Sequence, residues 1–128
     1  MAKILVIDDS AFQRRTLRKI LDVDGHDIQE AVDGRQGLEM WALTNPECIV
    51  LDILMPDVNG LNFLKVLHDQ GDTTPVIVLT ADIQDTTSQE CLKLGARQVL
   101  HKPLLPSEGD KLRAIVNKVL ESREGDQS

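Results

Sequence analysis

Five residues suited to phosphoryl chemistry each stand where an apolar run stops: Asp8 and Asp9 after ILVI, Asp52 after CIVL, Thr80 after VIVL, and Lys102 just past VLH. A charge at the end of a buried segment is costly unless something uses it. Two carboxylates about 5 Å apart repel by roughly 3 kcal/mol at an effective dielectric of about 20, so three sharing one rim need a cation or a proton. Oxygen donors without sulfur or imidazole select magnesium, which keeps several waters and binds phosphate oxygens. A lysine and a hydroxyl opposite such an ion would hold the other oxygens of a phosphoryl group. The remaining carboxylate would then be placed to attack phosphorus and form an aspartyl phosphate.

These residues need a scaffold that brings distant strand ends together, and the chain alternates as such a scaffold requires. Strands are expected over 3–8, 27–31, 48–52, 76–79 and 97–101. Between them lie helices, the first capped by Ser10 with Thr16, Leu17, Ile20 and Leu21 inward. The second turns Leu38, Trp41 and Ala42 inward and ends at Asn45-Pro46, and the third, after a Met55-Pro56 turn, buries Leu61, Leu64 and Leu67 and stops at Gly71. The fourth, roughly 83–94, offers only Ile83, Thr87, Cys91 and Leu94, so it should be the least firmly anchored. The fifth carries Leu112, Ile115, Val116 and Val119, and a polar tail is expected over 123–128 after a single domain spanning 1–122. Alternation of this kind argues for an α/β, doubly wound five-stranded parallel sheet with helices on both faces. In such sheets ligands bind beyond the carboxyl ends of the strands, where all five residues fall.

Each residue alone has a plainer reading: a capping pair at Asp8 and Asp9, a solvated strand end at Asp52, a backbone-satisfied Thr80, a snorkelling Lys102. Their convergence on one rim is what describes a site. The 128 residues carry 14 basic and 21 acidic side chains, a net charge of −7, and no segment concentrates enough Lys and Arg for a nucleic-acid footprint. The N-terminal apolar run is too short for a signal peptide or membrane span, so a cytoplasmic protein is expected. Cys48 and Cys91 belong to no metal-binding pattern and read as reduced thiols; His26, His68 and His101 lack a second ligand at metal spacing.

The set IDDS, LDILMPDVNG, VLTA and HKP, in this order, resembles the response-regulator receiver domain of the single-domain, CheY-like type, over residues 2–121. The resemblance implies the flavodoxin-like strand order 2-1-3-4-5 and a phosphoacceptor rather than a conventional enzyme. It implies Asp52 as phosphoacceptor, Asp9 as a direct magnesium ligand supported by Asp8, and the Leu54 carbonyl as a further ligand. Thr80 would be the switch hydroxyl, Lys102 the phosphoryl-binding cation, Ala81 a phosphoryl contact, and Lys102-Pro103 a cis bond. The implied partners are a sensor histidine kinase or histidine phosphotransfer protein and a separate output or phosphatase protein. A phosphorelay intermediate or phosphate sink is the alternative.

Two positions depart from that pattern. The switch aromatic of the family lies three residues before the lysine, where this chain has Val99, and His101 on the same side of the strand is the polar candidate to replace it. Leu54 and Asp82, two residues after Asp52 and Thr80, place an apolar group beside a repelling carboxylate at the mouth of the site, which should hinder the hydrolytic water. On the first helix, Arg14, Arg15, Arg18 and Lys19 form either a solvated basic face or, with Phe12, a docking surface for the phosphodonor.

Three rivals remain at this level. A haloacid-dehalogenase-type phosphatase would need a second aspartate where Leu54 stands. A flavodoxin-like electron carrier would need a hydroxyl-rich phosphate loop and flanking aromatics. An adaptor that never takes phosphate would share the sheet without the chemistry.

Overall fold

The computed structural model describes residues 2–55, 59–104 and 106–126. The elements run β1 (Lys3–Ile7), α1 (Ala11–Asp22), β2 (Asp27–Ala31), α2 (Gly34–Thr44), β3 (Cys48–Leu51), α3 (Gly60–Asp69), β4 (Val76–Thr80), α4 (Asp85–Lys93), β5 (Gln98–His101) and α5 (Pro106–Asp126). Every strand pairing is parallel, as the alternation predicts, and the order is β2-β1-β3-β4-β5, as the resemblance implies. The expected Met55-Pro56 turn falls partly outside the described residues.

Strand alternation divides the core into two layers. Ile4, Val6, Val50, Ile77 and Leu79 face Leu17 and Leu21 of α1 and Leu112, Val116 and Leu120 of α5. Leu5, Ile7, Ile49, Leu51, Val76 and Val78 face the other way, toward Phe63, Leu64 and Leu67 of α3 and Cys91 of α4. Both faces of the central strands are therefore dry, which is why β1, β3 and β4 are continuous apolar runs. Phe63 is wholly buried, and its removal would cost about 3–5 kcal/mol. In α2, Gly37 lets the helix settle on the sheet, since a Cβ there would stand 2.6 Å from Ile7 Cδ1.

Local caps follow their chemistry. Ser10 accepts from Gln13 N at 3.2 Å at the start of α1, and Asp33 accepts from Gln36 N at 2.8 Å at the start of α2. Asn45 closes α2 in the left-handed region, as Gly25, Gly71 and Gly95 do in their turns.

Several inner-face expectations need correction. Thr16 is only half-buried and donates to Phe12 O, Ala42 is exposed while Met40 packs inward, and Phe63 joins the buried face of α3. Ile83 precedes α4 and is 77% exposed, so Cys91 alone is buried among the residues of that helix. The thin attachment expected of α4 is thereby thinner still. The backbone after Ser122 stays helical to Asp126. Glu and Arg there are good helix formers, which favours continuation over a break. Both cysteines are buried, and neither forms a disulfide.

Candidate functional site

The acids meet because β1 and β3 are neighbours in register. Ile7 pairs with Leu51, the Asp52 amide donates to Ile7 O at 2.9 Å, and the two strands end together. Carboxylate oxygens of Asp8, Asp9 and Asp52 lie within 4.8 Å of one another. Asp8 and Asp52 are buried and Asp9 is exposed. The acid loop is fixed by Ser10 N, which donates to Asp8 Oδ1 at 2.9 Å, and by Arg14 Nη1, which donates to Asp8 O at 2.8 Å.

From β5, Lys102 reaches across to donate to Asp8 Oδ2 at 2.8 Å and stands 3.3 Å from Asp52 Oδ2. Burial works against its charge, yet the Asp8 hydrogen bond and the two carboxylates outweigh that and hold the ammonium above its usual range. For Asp52, burial dominates and pushes the carboxyl above its usual range; Lys102 offsets part of this, Asp8 adds to it, and the Leu54 amide, donating to Oδ1 at 3.1 Å, opposes it. Lys102 N bonds Thr80 O at 2.8 Å, and the Lys102-Pro103 bond is cis, as expected.

Asp52's own strand end is pinned from behind. Gly60 N donates to Ile53 O at 3.1 Å, and a side chain at Gly60 would collide with the backbone of Asp52 and Ile53. The glycine closing LDILMPDVNG thus lets α3 start against the acid loop.

Thr80 is fully buried, and its hydroxyl accepts from Asp82 N at 3.1 Å; Ala81 beside it is exposed. Asp82 turns its carboxylate to α4, where Oδ1 accepts from Gln84 N at 2.9 Å and Oδ2 from Thr87 Oγ1 at 2.8 Å. These two bonds hold its carboxyl below the usual range. Leu54 is 53% exposed, and it shares with Asp82, Thr87 and Met55 a cleft of about 400 Å³ beside the site. Val99 packs half-buried against the second core layer, whereas His101, paired in register with Thr80, is exposed.

The basic face of α1 splits in two. Arg14 and Arg18 clamp Glu30 of β2, through Nε to Oε1 at 3.0 Å and Nη2 to Oε2 at 2.7 Å, and belong to the fold. Arg15, Lys19 and Phe12 are exposed. A cation in the first turn of a helix opposes the helix dipole, and that was the available signal that Arg14 has a partner. Trp41 lies at the other end of the sheet, where its indole N–H donates to Asp72 Oδ2 at 3.0 Å ahead of β4.

The response regulator receiver domain model matches residues 4–117. The chain is 38% identical over 119 residues to response regulator MprA of Mycolicibacterium vanbaalenii, covering 91% of this chain and 51% of that protein. It is 37% identical over 120 residues to a probable transcriptional regulator, ycf27, of Porphyridium aerugineum, covering 91% and 49%. The chain therefore spans about half the length of these curated relatives. Among solved structures, the receiver domain of Francisella response regulator 1452 superposes with a TM-score of 0.88 at 32% identity, covering 96% of this chain and 99% of that one. Chemotaxis protein CheY4 of Vibrio cholerae gives 0.83 at 30%, covering 93% and 98%. Among the described residues no helix is long and apolar enough to cross a membrane. With the family model spanning nearly the whole sheet and the CheY-like strand order around it, the chain belongs to the response-regulator receiver family of two-component signalling.

Proposed function

We propose that this receiver takes a phosphoryl group from a phosphohistidine onto Asp52 and passes the resulting change to a separate partner protein. The observation that carries the reading is the convergence of Asp8, Asp9, Asp52, Thr80 and Lys102 on one rim from four strands. One ammonium leaves two of the three negative charges unbalanced, and the donors are hard oxygens, so the set fits magnesium. Asp9, Asp52 and the Leu54 carbonyl would hold the ion, with Asp8 supporting. When bound, magnesium supplies the positive charge that lets an anionic phosphoryl group approach an acidic site.

An Asp52 oxygen forms the new bond to phosphorus as the P–N bond of the phosphohistidine breaks, and the imidazole leaves with the electron pair. Lys102 binds one phosphoryl oxygen, the Thr80 hydroxyl donates to another, and the Ala81 backbone contacts the group. The donor is a sensor histidine kinase or a histidine phosphotransfer protein, and the exposed Phe12, Arg15 and Lys19 on α1 suit its docking. Labelling with acetyl phosphate tests the assignment: the parent chain is labelled in magnesium, Asp52→Asn is not, and a variant that still takes label refutes it.

Val99 favours a second reading, a phosphorelay intermediate or phosphate sink with no direct output. Capture of a partner by the beryllofluoride-loaded form and not by the metal-free form supports direct output; equal capture supports the relay.

A further inference from the structure

We propose that Asp82 couples the Thr80 hydroxyl to helix α4, giving this receiver a polar relay where the family has a ring on β5. The inference rests on the receiver reading above. Asp82 is tied on both sides: its N–H donates to Thr80 Oγ1, and its carboxylate accepts from Gln84 N and Thr87 Oγ1 in the first turn of α4. Gln84, the residue at the N-cap, makes no side-chain cap bond, and the Asp82 carboxylate instead fastens the start of α4 through the Gln84 amide and the Thr87 hydroxyl. Beyond that, α4 has Cys91 alone buried among its residues, so little resists a shift of its first turn. Val99 has no hydroxyl and no ring to swing, and the exposed His101 makes no side-chain hydrogen bond to the Thr80 hydroxyl, whose partner is the Asp82 amide.

When the Thr80 hydroxyl turns to donate to a phosphoryl oxygen on Asp52, its oxygen moves away from the Asp82 amide. The loop follows to keep that bond, so Asp82 moves and its carboxylate, held by Gln84 N and Thr87 Oγ1, carries the start of α4 with it. Asp82 is thus a positioning residue whose two ends join the site to the surface that a partner reads.

The test is a set of ¹H–¹⁵N spectra of the full chain with and without magnesium and beryllofluoride. In the parent, amides at Leu54 and Ala81 and those of the first turn of α4 all shift. In Thr87→Val and in Asp82→Ala, the Leu54 and Ala81 shifts persist while the α4 response falls about threefold or more. Thr87→Ser, which keeps the hydroxyl, restores it. An undiminished α4 response in Thr87→Val and Asp82→Ala, or a silent Thr87→Ser, overturns the relay with the receiver chemistry intact. No shift at Leu54 or Ala81 in the parent removes the receiver reading and the relay with it.

Discussion

Lys102 and Asp8 form a buried ion pair, Nζ to Oδ2 at 2.8 Å, that ties the end of β5 to the end of β1 across two intervening strands. Their side chains are 18% and 2% exposed. Removing one partner of such a pair leaves an uncompensated buried charge. Lys102→Met keeps the stem and drops the charge, and should lower metal-free stability by about 3 kcal/mol. Added magnesium should recover part of the loss by binding the native acids. Urea midpoints with and without the metal check this; an unchanged metal-free midpoint would mean the pair contributes nothing.

Asp52 carries its charge at a cost. Its folded pKa lies above the ordinary 3.8, chiefly through burial. The folded state then holds its proton more tightly than the unfolded chain, so stability from this group is greatest below about pH 3.8 and is lost as pH rises through the folded value. Asp52→Asn removes the titration. The variant should be more stable than the parent at pH 7 without metal, and the advantage should vanish in acid. A constant difference from pH 3 to pH 7, measured by thermal melts at about those two limits, would contradict the assigned cause. Asp9→Ala should give a smaller gain, because Asp9 is exposed and screened by water.

The parallel sheet and the rim were legible because buried strands leave continuous apolar runs and a charge that ends such a run stands out. Ser10 and Asn45 could likewise be read, since caps act over three or four residues. Helical period gave the faces but not their edges: Thr16 and Ala42 lie at the margin of their stripes, where the angle of the helix on the sheet decides burial. Long-range polar pairs leave no periodic trace, so Trp41 with Asp72, His26 with Asn117 and Arg14 with Glu30 had to be seen. Asp82 was legible as a charge at the site mouth, whereas its commitment to α4 depends on the loop conformation.

Glu30 separates fold from docking on α1. Burial disfavours its charge, but the hydrogen bonds and charges of Arg18 and Arg14 outweigh that and hold its carboxyl below the usual 4.5. A depressed pKa contributes stability that is present above about pH 4.5 and is lost as pH falls through the folded value. Glu30→Gln should cost up to about 1 kcal/mol at neutral pH, with the gap closing in acid. Charge reversal at Arg15 and Lys19 should instead leave the melting curve unchanged and slow phosphotransfer from the donor. Transfer rates that survive that reversal would remove α1 as the docking face.

Leu54 is expected to set the lifetime of the product. It stands half-exposed at the site mouth, opposite Asp82, whose two carboxylate oxygens are both occupied by Gln84 N and Thr87 Oγ1. Leu54 offers no polar group to position a water for in-line attack on the aspartyl phosphate, and the Asp82 carboxylate is turned to the start of α4. Leu54→Asn would supply an amide that can hold that water, and positioning groups of this kind contribute about 10²-fold or more at best. The variant should shorten the phosphoryl lifetime several-fold, read from loss of radiolabel after removal of acetyl phosphate. It should leave the labelling yield at early times unchanged, because Leu54 is expected to contribute only its backbone carbonyl to the metal. A variant whose label decays no faster than the parent's would show that access of water is governed elsewhere.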